Sequence, residues 1–214
     1  ASDLVIENCR QVLTCGGPVP KRKKSLQNVG LVEKAWVAAH RGKIVFLGQE
    51  KDFKAQVYPE ESALRIDAGG LVGLPGFVDS HTHLPFAGNR VQEFKLRLAG
   101  ATYQDLARKG MGIQTTVKAT REAAESELLR LCLSRLDQML LNGATTVEAK
   151  SGYGLTTRDE LKILEAVQRV NQLHAVDAVP TFLGAHAVPP EFQGNSPGYV
   201  GRGADEMIPK GAEK

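Results

Sequence analysis

Apolar residues recur along this chain with two different periods, and the change falls near residue 73. Before it they come in short runs, at 4–6, 12–14, 36–39, 43–47 and 64–67, separated by polar and glycine-containing segments. Runs of this kind predict strands. Between two of them, His40-Arg41-Gly42-Lys43 predicts a hairpin turn with Gly42 at positive φ. Residues 1–70 therefore read as a small β unit.

Beyond Gly73, strand and helix patterns alternate, which predicts βα units around a parallel sheet and an α/β class. The strand candidates 76–79, 145–148 and 178–183 are nearly all apolar, as expected for strands buried on both faces. A helix is predicted over 122–141, where Leu128, Leu129, Cys132, Leu136, Met139 and Leu140 fall on one face. Thr120 is its candidate N-cap and Gly143 its stop. A second helix opens with a capping box from Thr157 to Glu160 and continues through Leu161, Leu164, Val167 and Val170.

Composition narrows the function classes. With 42% hydrophobic and 24% charged residues, most of the 214-residue chain is expected to be folded. A net charge of +3 is too small to imply nucleic acid or an anionic membrane as a partner, and the basic run at Lys21, Arg22, Lys23 and Lys24 reads as a solvated loop. No stretch approaches the roughly 20 apolar residues of a membrane span, and Ala1-Ser2-Asp3 does not open an export signal. Cys9, Cys15 and Cys132 form an odd set without a CxxC spacing, which suits reduced thiols and a cytoplasmic location.

The candidate chemistry lies at strand ends. In Asp79-Ser80-His81-Thr82-His83 the two histidines sit at i and i+2, on one face of a strand and roughly 6–7 Å apart. Two imidazoles so placed can converge on one metal ion at about 2.0–2.1 Å each. Asp79 shares their face, either to orient a histidine or to bond backbone amides. Lys150 and Tyr153 follow the second strand candidate, and His186 follows the third, the placement of active-site residues in barrels of βα units. Ser151-Gly152-Tyr153-Gly154 reads as a loop that aims a tyrosine. Lys150 is expected in an ion pair rather than as a ligand, His174 in a helix C-terminal contact, and His40 at the surface.

Pro75-Gly76-Phe77-Val78-Asp79-Ser80-His81-Thr82-His83 resembles the first metal motif of the amidohydrolase superfamily. Four further segments follow in order: Phe86-Ala87-Gly88-Asn89-Arg90 with Glu93-Phe94, Leu98-Ala99-Gly100-Ala101-Thr102-Tyr103, Glu148-Ala149-Lys150-Ser151-Gly152-Tyr153-Gly154-Leu155, and Phe182-Leu183-Gly184-Ala185-His186-Ala187-Val188-Pro189. Together they resemble the N-terminal half of the imidazolonepropionase family. The resemblance implies hydrolysis of the cyclic amide-like C–N bond of 4-imidazolone-5-propanoate to N-formimino-L-glutamate in histidine degradation. It implies His81 and His83 as ligands of one zinc or iron ion, and Arg90, Tyr103, Tyr153 and His186 as substrate contacts, with His186 also stabilising the carbonyl oxygen. The implied partner is a small-molecule substrate carrying a carboxylate, and the full-length enzyme is expected to be a homodimer.

The implied fold is a partial amidohydrolase-type (β/α)8 TIM barrel over 71–214, preceded by the N-terminal part of a small β-sandwich-like domain over 1–70. Both are expected to be incomplete, since a barrel takes about 250 residues. The family's third histidine and its aspartate ligand have no counterpart here, nor do its glutamate and histidine for proton transfer. Another cyclic-amide hydrolase or a deaminase of the superfamily is the alternative activity, and an inactive fragment the alternative of a different class.

Overall fold

The structure, a computed structural model, describes residues 1–108 and 110–213, with only the backbone of Tyr103 and Ala107. It divides into two compact units, Ala1–Pro75 and Gly76–Lys214. No helix among the described residues is long and apolar enough to cross a membrane.

The first unit is one five-stranded sheet built on β1 (Ser2–Leu13). The predicted run at 4–6 and residues 12 and 13 of the run at 12–14 belong to this single strand. Asn8 takes a φ of 59° where the pairing register shifts, so a bulge rather than a loop separates them. β2 (Leu31–His40) and β3 (Lys43–Gln49) form the predicted hairpin, with Arg41 at φ 50° and Gly42 at φ 74° in its turn. β4 (Pro59–Asp67) and β5 (Val72–Gly73) pair parallel to β1. α1 (Glu50–Gln56) buries Phe53 against Trp36, with ring centroids 4.9 Å apart, beside Val5 and Ala38. Among the described residues this unit is one sheet with a helix on it, so the expectation of a sandwich is met only as far as a small β unit.

The second unit holds a parallel sheet in the order β6 (Phe77–Thr82), β7 (Ala144–Lys150), β8 (Asp177–Thr181). Between β6 and β7 come α2 (Val91–Leu98), α3 (Tyr103–Arg108), α4 (Ile113–Glu122) and α5 (Glu125–Leu141), and α6 (Thr157–Leu173) follows β7. Leu129, Cys132 and Leu136 of α5 and Val167 and Val170 of α6 pack with Val147 and Ala149 of β7 into one core. Burial on both faces holds best for β7. Phe77 and Val78 on β6 are 55% and 67% exposed, and Val179 on β8 is 53% exposed.

Two helix expectations are corrected. The predicted helix 122–141 begins at Glu125, and Thr120 is not its cap but a buried residue of α4 whose hydroxyl accepts the Ala87 amide at 3.1 Å. The Lys162 ammonium takes the carbonyls of Thr120, Arg121 and Ala123 at 3.0–3.1 Å, which satisfies the end of α4 and fixes the break. The capping interaction of α6 lies one residue earlier than predicted: Thr156 accepts the Asp159 amide, and the Asp159 carboxylate takes the Thr156 hydroxyl. That shift leaves Glu160 free to turn inward. α7 (Ser196–Arg202) and a π-helical turn Gly203–Met207 lead into α8 (Ile208–Ala212), placing Tyr199 and Met207 in a second core with Val117 and Leu155.

Candidate active site

His81 is in β6 and His83 lies just past its end, while the intervening Thr82 donates its hydroxyl to the Glu148 carbonyl of β7 at 2.5 Å. That bond pins the strand end. The register pairs Thr82 with Ala149 and Lys150 with Thr181, so all three strands end at one level. The loops after them consequently meet. The His83 ring lies 4.7 Å from Tyr153 and 4.7 Å from His186, with Tyr153 and His186 5.6 Å apart and His81 6.5 Å from His83. Phe86 closes the group at 6.1 Å from Tyr153, with the Arg135 guanidinium stacked 3.7 Å over its face.

Within this group the His83 Nδ1 is buried without a hydrogen-bond partner. Burial pushes the His83 imidazole below its usual range, and the neighbouring His186, His81 and Lys150 push the same way against a contact to the Ser151 backbone. A neutral imidazole keeps a lone pair available.

The Tyr153 loop is held from beneath. The fully buried Glu160 carboxylate accepts the amides of Gly152, Gly154 and Leu155 at 2.8, 2.8 and 2.7 Å. Gly152 has a φ of 110°, and a Cβ there would lie 2.8 Å from the His186 Cβ, so this glycine is what lets the two loops touch. The Ser151 hydroxyl accepts the Leu183 amide at 2.9 Å, which ends β8 at Thr181 instead of the predicted 183. Tyr199 donates to the Gly184 carbonyl at 2.5 Å, and burial, with the Glu160 charge adding to it, pushes that hydroxyl up to about 12.

Arg90 stands apart from the rings. No hydrogen bond, ion pair or ring contact joins it to them among the described residues. Its Nε and one terminal nitrogen both meet Glu93 Oε2 at 2.7 Å, and the side chain stays 48% exposed. Glu93 is buried, and its Oε1 accepts the Gly112 amide at 2.8 Å and the Thr115 hydroxyl at 3.1 Å. Burial alone would raise the Glu93 pKa, but the bonds from Arg90, Gly112 and Thr115 and the Arg90 charge outweigh it and hold it below the ordinary range. Its folded value is therefore depressed, so its stabilisation is present above the unfolded pKa and lost as pH falls through the folded one. Glu93→Gln is expected to flatten the acid limb of stability below about pH 4.3, read by urea unfolding across that range. An unchanged acid limb contradicts this assignment.

Of the remaining expectations, Lys150 forms an ion pair with Glu148. Asp79 takes the backbone reading, accepting the His81 amide at 3.3 Å. His174 follows α6, its Nδ1 accepting the Val176 amide at 3.0 Å. His40 ends β2, partly exposed, 3.6 Å from the carboxylates of Asp3 and Glu60. Tyr103 begins α3, and its side chain lies outside the described residues.

No protein-family model matches the chain. It is 46% identical over 207 residues to the imidazolonepropionase of Symbiobacterium thermophilum, covering 97% of this chain and 48% of that protein. The chain is homologous to the imidazolonepropionases. The Thermoanaerobacter pseudethanolicus imidazolonepropionase is 43% identical over 213 residues, covering 100% of this chain and 50% of that protein. The chain thus spans about half the length of the curated imidazolonepropionases it matches. Among solved structures it resembles a triazine hydrolase from Arthrobacter aurescens, with a TM-score of 0.52, 18% identity, and coverage of 85% of this chain and 36% of that one. The zinc-complexed atrazine chlorohydrolase of Arthrobacter aurescens gives a TM-score of 0.52 at 19% identity, covering 84% of this chain and 35% of that one. At these identities the likeness to solved structures concerns the fold alone.

Proposed function

We propose that this chain is the N-terminal part of a metal-dependent enzyme that hydrolyses 4-imidazolone-5-propanoate to N-formimino-L-glutamate in histidine degradation. The observation that carries the reading is the 46% identity to an imidazolonepropionase over 97% of the chain. In this reading residues 71–214 are the first part of a (β/α)8 barrel and residues 1–70 part of a small β domain. The enzyme is cytoplasmic and a homodimer.

His81 and His83 are two ligands of a zinc or iron ion. The orphaned, buried Nδ1 of His83 supports this, because a metal bond would satisfy it. Zinc in the atrazine chlorohydrolase of similar fold is in keeping with it. A catalytic zinc normally takes three protein ligands, and no group of three or more His, Cys, Asp or Glu side chains fit to hold an ion occurs among the described residues. His81 and His83 are thus a part of the donor set. When bound, the ion supplies Lewis acidity and a water nucleophile near neutral pH.

The chain's own residues supply binding and orientation. Arg90 offers its exposed guanidinium edge to the propionate, a charge-assisted contact that fixes one end of the substrate. Tyr153 and His186, packed at a tilt against His83, line the ring site, and His186 donates to the carbonyl oxygen as negative charge develops there. Tyr103 joins these substrate contacts.

The test is an absorbance assay on the full-length polypeptide that carries this chain, loaded with zinc or iron. Imidazolone propionate should disappear, and chelation of the metal should stop the loss. Persistence of the substrate with either metal would overturn the proposal.

A further inference from the structure

Glu160 has no exposed surface, yet its carboxylate is spent on three backbone amides. Those amides, from Gly152, Gly154 and Leu155, bracket Tyr153. Gly152 at φ 110° and Leu155 at φ 55° turn them toward one point, a concavity of the kind that binds anions, and here the chain's own carboxylate fills it. Without that anion, three converging buried donors would lack acceptors and the loop would open to satisfy them elsewhere.

Both aromatic partners of His83 depend on this arrangement. Tyr153 rides on the clamped loop, 4.7 Å from the His83 ring. Gly152 backs onto His186 so closely that a Cβ on it would lie 2.8 Å from the His186 Cβ, so a shift of its amide moves the surface on which His186 rests. We propose that Glu160 is a positioning residue that, through the amides of Gly152, Gly154 and Leu155, aims Tyr153 and His186 at the substrate. The proposal rests on the reading that these two side chains line the substrate site.

Glu160→Gln tests it with little change in volume. One carboxamide oxygen can replace only one of the two acceptors, and the amide group then faces at least one backbone N–H. In the full-length enzyme the substitution is expected to raise KM about tenfold, and in a Tyr153→Ala background less than about threefold, because the residue it aims is gone. Equal losses in both backgrounds would mean a merely structural role and overturn the proposal. A second readout needs no activity: the nuclear Overhauser contact between the Tyr153 and His83 rings should be present in the wild-type protein and lost in Glu160→Gln. Should Glu160→Gln fail to fold by thermal melt, Glu160→Asp keeps the carboxylate but, being shorter, cannot reach all three amides, and the same loss of ring contact is expected. A wild-type protein that leaves imidazolone propionate intact defeats the functional reading while the ring contact still decides the role of Glu160. Hydrolysis by the wild type with an unchanged ring contact in the variants defeats the role of Glu160 alone.

Discussion

His83→Ala in the full-length enzyme is expected to lower kcat/KM for imidazolone propionate about a thousandfold or more, since the metal's share of the barrier is several kcal/mol. The same variant should leave the purified protein depleted of metal by elemental analysis. The structure makes this the most damaging single change. His83 is the ring that touches both Tyr153 and His186, its Nδ1 is the buried nitrogen without a partner, and it stands 6.5 Å from His81. On the proposed reading, removing it deletes a metal ligand and the ring against which Tyr153 and His186 both pack. His174→Ala is the control for loss of a histidine elsewhere. That side chain accepts the Val176 amide just past α6 and meets the Asp137 carboxylate at 3.2 Å, both away from the rings, so activity should stay within about twofold while stability falls by roughly 1–2 kcal/mol. A His83→Ala enzyme that keeps its metal and its rate would remove His83 from the centre.

Arg90→Met should act on binding instead. A charge-assisted pair is worth about 1.5–3 kcal/mol, so KM should rise about 10- to 150-fold while kcat changes little. Glu93 holds two nitrogens of the guanidinium on one oxygen and leaves the rest of the group exposed, an arrangement suited to receiving a second carboxylate. An analogue lacking the propionate should bind wild type and variant alike, which separates loss of this contact from general damage. An unchanged KM for the propionate substrate would remove Arg90 from the substrate site.

The sequence revealed the parts of this site that depend on local period. His81 and His83 declare themselves because strand side chains alternate, and Tyr153 and His186 because each follows an apolar run at the same end of a βα unit. Their convergence on His83 was not legible, since it depends on the parallel register that levels the three strand ends. Glu160 illustrates the limit best. Its spacing from Thr157 satisfies a capping box, a local pattern, but the three amides of the Tyr153 loop compete for its carboxylate and win, while Thr156 and Asp159 cap the helix. Glu93 stands within a family-like motif, but its role leaves no local signal, because its partners Gly112 and Thr115 are distant in sequence. The break between α4 and α5 was legible only to within three residues, since the lysine that fixes its place lies on another helix.

The most direct test of the central claim is the identity of the product. Carbon-13 NMR of ring-labelled imidazolone propionate, incubated with the metal-loaded full-length polypeptide, is expected to show conversion to N-formimino-glutamate, with the propionate arm unchanged and no ammonia released. An intact ring after prolonged incubation, or ammonia release without ring opening, would contradict it.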